Sequence, residues 1–148
     1  MTIFFQHVGE AGSGRDFPKT IGTAKGGLKQ FNFDDVAHRI EKLSDAQRDI
    51  IRRAIDKEGD EGFQIWGIPS GAKSVLRSLQ AGDYLLLLES AGPGGAFAYG
   101  GRIIVALPGE NFEFSQYLWG EARFPLIVFL VGRLTRLQLA AFLRSLRL

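Results

Sequence analysis

Phe63-Gln64-Ile65-Trp66-Gly67-Ile68-Pro69 is the stretch on which the reading of this chain turns. Phe63 to Trp66 has the composition of a short buried strand. Pro69-Ser70 then punctuates the chain ahead of a helix. The tryptophan is one of only two; the other, Trp119, is also followed by glycine and precedes the apolar run Phe124 to Val131. A tryptophan at a strand edge beside glycine can present its ring face to a ligand, because glycine carries no side chain to cover it. The same rings can equally be core, since tryptophan is usually well buried. Exposure of Trp66 separates the two readings.

Working outward, Thr2 to Val8 reads as a strand, and the glycine-rich Gly9 to Gly27 reads as a long loop. Phe33 to Leu43 has helical spacing, with Asp34 and Asp35 at its start. Ser44 is a good N-cap for a second helix, Asp45 to Glu58, which Gly59 stops. Ser70 caps a helix running to Leu79. Tyr84 to Glu89 and Phe97 to Leu107 read as a hairpin around Ser90 to Gly95, with Gly100-Gly101 marking a bulge or a close backbone approach. Phe112 to Leu118 is a short helical link, Phe124 to Val131 a buried strand, and Leu134 to Leu146 an amphipathic helix. This order predicts an α+β fold: a strongly curved, mixed sheet or small open barrel of five to six strands, with helices packed around it.

The chain has 148 residues and reads as one domain, 1–148. It has no cysteine and two histidines, which excludes a disulfide framework, a thiolate metal site and a cysteine nucleophile. Its apolar runs are far too short to span a membrane, and Met1 to Phe5 lacks the pattern of a signal peptide. A cytoplasmic location is the expectation. Residues 1–62 carry 10 Lys/Arg and 11 Asp/Glu, whereas residues 63–148 carry 8 and 5. Seven of those eight are arginine, whose planar fork suits phosphate.

Catalytic and cofactor motifs are missing. Gly92-Pro93-Gly94-Gly95 and Gly12-Ser13-Gly14-Arg15 lack the residues that complete a phosphate loop or dinucleotide turn. Ser70 lies in Pro-Ser-Gly, outside the nucleophile-elbow pattern. His7 stands alone at a strand end. No catalytic residue, metal site or cofactor is expected. Binding remains. Trp66 and Trp119 offer flat apolar surfaces, and Lys73, Arg77, Arg102 and Arg123 offer positive charge for a phosphate backbone. Rings to stack on with charge beside them are what a single-stranded or flipped nucleotide needs. For Lys73 and Arg77, simple solubility is the rival role.

Ile65-Trp66-Gly67-Ile68-Pro69, a helix, Asp83 to Ser90, Gly95 to Ile103, and Trp119-Gly120 ahead of Phe124 to Leu130 follow one another in an order that resembles the YTH and EVE domains of the PUA-like superfamily. Ile3 to Val8 is similar to the family's opening strand. The likeness covers residues 1–9 and 63–131, with residues 33–58 as a helical insertion. It implies a curved sheet whose mouth holds a modified base in an aromatic cage. Trp66 and Trp119 would be walls, Gly67 would meet the base edge, and His7 and Val8 would lie at the rim. Prokaryotic versions serve as specificity modules of modification-dependent restriction enzymes of the McrB type.

The resemblance therefore implies a non-enzymatic reader of methylated nucleic acid: DNA carrying N6-methyladenine or a modified cytosine, with RNA as the other substrate. A nuclease or motor domain, fused or partnered, would do the cutting. The alternative is a PUA-like RNA-binding or RNA-processing enzyme domain, in which His7 and an acid would converge. A third reading is a structural or partner-binding domain with both tryptophans in its core.

Overall fold

Strand β1 (Ile3–His7) pairs in parallel with β5 (Tyr84–Leu88), Ile3 opposite Tyr84, and this is the one parallel pairing in a five-stranded sheet. β6 (Phe97–Ala106), β7 (Leu126–Leu134) and β4 (Gln64–Ile68) follow antiparallel, giving the order β1-β5-β6-β7-β4. A two-stranded ribbon, β2 (Gly22–Thr23) with β3 (Gly27–Leu28), lies apart from that sheet. The computed structural model describes residues 1–23, 25–40, 42–72, 74, 78–88, 97–134 and 144. Within them the helices are α1 (Gly9–Thr20), α2 (Phe33–Val36), α3 (Asp45–Glu58) and α4 (Phe112–Trp119). The fold is α+β, with a curled half-barrel sheet compatible with a small open barrel.

The sheet is buried on both faces. Along β7, Leu126, Val128 and Leu130 point into one apolar cluster while Ile127 and Phe129 point into the other. A strand buried twice must be apolar throughout, which is why this run shows no polar alternation. The first cluster joins Phe17, Trp66, Leu85, Tyr99 and Ile103, and lies on the concave side. Concavity is fixed by one contact: the Trp66 indole N–H of edge strand β4 donates to Gln6 Oε1 of the opposite edge strand β1 at 3.0 Å. The second cluster packs the convex face under α2, α3 and α4, through Ile51, Ile55, Phe114 and Trp119.

A polar node ties the concave side together. Gln64 is 1% exposed. Its Oε1 accepts from the Tyr99 hydroxyl at 2.8 Å and from the Gly132 N–H at 3.1 Å. Its Nε2 donates to the Lys29 carbonyl at 2.9 Å and to Gln30 Oε1 at 3.2 Å. The Tyr99 ring folds back over Gly101, where an added Cβ would meet the ring at 2.5–2.9 Å. Glycine is required there by close approach.

Burial pushes the Tyr99 phenol far above its ordinary range, so the folded chain keeps a proton that the unfolded chain releases above about pH 10. Stability therefore falls as pH rises past that point, by about 1.4 kcal/mol per unit from this group. Tyr99→Phe is expected to flatten that alkaline limb, measured by urea unfolding between pH 9 and pH 11. An unchanged slope would show that Tyr99 does not titrate with unfolding.

Local signals set the ends of α3. The Ser44 hydroxyl accepts from the Gln47 N–H while the Gln47 side chain accepts from the Ser44 N–H, a reciprocal capping box, and Gly59 closes the far end. Other expectations are corrected. Gly9 to Gly27 is not a loop, because α1 and the β2–β3 ribbon occupy most of it. The helix expected over Phe33 to Leu43 is a four-residue turn, α2, followed by a 3-10 turn at Ala37–Arg39. There Asn32 is the cap and Asp35 its reciprocal partner, which gives that carboxylate a local bond. Of the two readings of Gly100-Gly101, the bulge is not found, since register shifts fall at Leu87/Leu88 and Ile103/Val105. The close approach is found: a Cβ on Gly132 opposite would collide with the Gly100 carbonyl and Gly101 Cα. Ser70 opens a 3-10 turn and its hydroxyl donates to Glu110 at 2.8 Å. Residues 73 and 75–77 of the helix expected from Ser70, the turn at residues 90–95 and nearly all of the helix expected from Leu134 lie outside the described residues.

Candidate functional site

Trp66 and Trp119, 53 positions apart, meet at the free edge of β4. Their ring centroids are 6.2 Å apart at 74°, edge to face. Trp66 points to the concave side and Trp119 arrives from the end of α4, rounding the strand edge. Phe17 of α1 stands edge-on to Trp66 at 5.4 Å, and Phe124 stands edge-on to Trp119 at 5.8 Å. Four aromatic rings thus form a chain, Phe17–Trp66–Trp119–Phe124, each pair in the edge-to-face geometry that ring quadrupoles favour.

That chain is closed in this structure. Trp66 is 4% exposed and Trp119 is 3% exposed. Two expectations are corrected here. The Trp66 ring does not lie open at a cavity mouth; it is part of the concave cluster. Nor does Gly67 leave a ring face uncovered. A Cβ on Gly67 would stand 2.6 Å from Trp119 Cζ3 and 2.7 Å from Phe124 Cβ. The missing side chain makes room for the second tryptophan, so this glycine serves packing.

The remaining expected site residues divide. Val8 packs against the concave cluster that holds Trp66. His7 does not: alternation along β1 turns Phe4, Gln6 and Val8 toward the concave side, while Phe5 and His7 are exposed. Among the described residues, no carboxylate bonds His7. Gln6 is the residue the sequence reading missed. Period-two counting from Phe4 and Val8 is the signal that points to it. Its half-buried amide carries both an acceptor and a donor beside the Trp66 indole.

Arg123 lies by the aromatic chain, over the Phe124 ring at 4.9 Å, and its Nε donates to Glu121 at 2.8 Å. Arg102 does not join the tryptophans; on the convex side it pairs with Glu58 of α3 at 2.8 Å. The Arg102 and Arg123 guanidinium groups, expected to meet phosphate, are therefore already engaged by carboxylates. Lys73 and Arg77 lie outside the described residues. Lys19 was also missed: its Nζ donates to the Trp119 carbonyl at 3.0 Å, fastening α1 to the end of α4.

A second concavity, about 550 Å³, lies between the 3-10 turn and the Pro108–Asn111 loop, lined by His38, Arg39, Lys42, Glu110, Phe112 and Glu113 among others. Its charges are mixed, and Lys42 is paired with Glu113 at 3.0 Å. Among the described residues no group of three or more His, Asp or Glu is placed to hold a metal ion, and no helix is long and apolar enough to cross a membrane. Comparison with protein-family models, curated proteins and solved structures finds no match for this chain.

Proposed function

We propose that the protein is a reader of methylated nucleic acid, DNA in the first instance, which takes a flipped or single-stranded base against Trp66 beside the Gln6 amide. The observation that carries this reading is the convergence of Trp66, Trp119 and Gln6 at the seam between the two edges of a curled mixed sheet. An indole face supplies stacking. An amide bearing one acceptor and one donor matches the paired hydrogen bonds of an adenine edge. The order of sequence elements that resembles the YTH and EVE domains supports the same reading. In it the domain does no chemistry, and a nuclease or motor domain acts on the site it has marked.

A methyl group on a neutral base adds apolar area and little else. A dry aromatic slot gains roughly 1 kcal/mol from it, about a fivefold preference. Duplex DNA adds the cost of extruding the base, a few kcal/mol, so single strands bind more readily. The test is a fluorescence-anisotropy panel of short DNA and RNA oligonucleotides, single- and double-stranded, with and without N6-methyladenine or 5-methylcytosine. A methylated DNA strand bound about fivefold tighter than its unmodified twin is the expected result. Tighter binding of the RNA twin would move the reading to RNA, and equal binding throughout would end it.

The burial of both tryptophans favours a second reading, in which they are purely structural. The PUA-like enzyme alternative draws no such support, because His7 points away from the seam.

A further inference from the structure

α1 is a helix that its own residues do little to form. It contains Gly12, Gly14 and Pro18, and no side chain caps its start at Val8. Pro18 has no N–H to return to the previous turn. What holds α1 is docking. Asp16, Phe17 and Thr20 are buried along one side, with Ile21 just beyond, and Phe17 rests on Trp66. The fastenings at its far end are few: the Lys19 bond to the Trp119 carbonyl, and an Arg15–Asp16 pair at 3.0 Å whose guanidinium is also attracted to Glu121 past the end of α4.

Glycines with positive φ flank α1 at both ends. Gly9 has φ +81° and Gly22 has φ +132°, backbone conformations that other residues rarely adopt. Among the described residues two buried side-chain polar atoms lack a hydrogen-bond partner, Thr20 Oγ1 and Trp119 Nε1. Thr20 lies in α1 and Trp119 at the end of α4, the two helices that the Lys19 bond joins. Buried donors of this kind are rare in folded proteins, and opening the contact would return them to water or to a ligand.

We infer that α1 is a lid, hinged at Gly9 and Gly22, whose lifting uncovers Trp66 and Trp119 and admits the base. This rests on the reading of Trp66 as a base-stacking wall, and it accounts for a binding ring that is buried in the closed state. Lids are drawn from the least stable segments of a fold, and a glycine-rich helix held by docking is such a segment.

Two variants test it in opposite directions. Gly14 is exposed and helical, and an added methyl there meets no heavy atom within 4 Å. Gly14→Ala therefore stiffens α1 without touching the seam. Lys19→Met removes the fastening to Trp119. The readouts on free protein are amide hydrogen exchange of residues 12–21 and acrylamide quenching of tryptophan fluorescence. α1 is expected to exchange at least a hundredfold faster than β6 and β7. Gly14→Ala should slow exchange and quenching about fivefold, and Lys19→Met should speed both. The association rate of a methylated single strand should follow the same order. If α1 exchanges only together with β6 and β7, the lid is refuted, whatever the oligonucleotides do. If α1 opens locally but no oligonucleotide binds, the base-reading proposal fails, and with it the role of α1 as its gate.

Discussion

Trp66→Ala is expected to lower the melting temperature by about 6–20 °C. Truncating a buried aromatic costs about 3–5 kcal/mol, and each kcal/mol moves the midpoint of a domain this size by about 2–4 °C. Trp66 is 4% exposed, touches Phe17 and Trp119 edge-on and donates its indole N–H to Gln6, so the site has little freedom to collapse. The alanine variant alone cannot report on binding. Trp66→Phe keeps most of the volume and a stacking face while losing the bond to Gln6. It is expected to melt within several degrees of wild type, and its preference between methylated and unmethylated strands then tests the site on a folded protein. Calorimetry decides the first point. An alanine variant that melts like wild type would show that Trp66 lies open in solution.

Gln64→Leu is expected to destabilise the chain by about 3 kcal/mol or more. It strands the Tyr99 hydroxyl, the Gly132 N–H and the Lys29 carbonyl, each at about 1–3 kcal/mol if left unpaired. Adding Tyr99→Phe removes one stranded donor. The double variant should therefore be more stable than the sum of the two single changes, with a coupling of about 1 kcal/mol. Urea unfolding of all four proteins measures this. Strict additivity would show that the glutamine and the tyrosine do not share a hydrogen bond.

Where the sequence was legible, the controlling signals were local. Ser44, Gln47 and Gly59 bound α3 within the helix's own turns, and the unbroken apolar run of β7 announces burial on both faces. α1 was illegible because its propensity points the wrong way. Each interior glycine disfavours a helix by about 1 kcal/mol relative to alanine, and only the surface under Phe17 and Ile21 reverses the balance. Gly67 is ambiguous for a different reason. A glycine beside a tryptophan is compatible with an open ring face or with a second ring filling the gap. The filling residue, Trp119, is remote in sequence. Strand Ile3 to Val8 is legible as a strand, and period-two alternation from Phe4 and Val8 turns Gln6, not His7, toward Trp66.

The parallel pairing of β1 with β5 has a consequence for how the chain acquires its shape. Ile3 finds its partner only at Tyr84, and Gln64 finds its own only at Leu130. The meander β5–β6–β7 is the one part of the sheet built from neighbours in sequence. Loop-closure entropy therefore places the folding nucleus in that meander, with both edge strands added late. During synthesis Phe4 and Phe5 emerge early and wait without a sheet to join. The first strand made is thus among the last to be placed, and the seam between Gln6 and Trp66 can close only after both edges have docked.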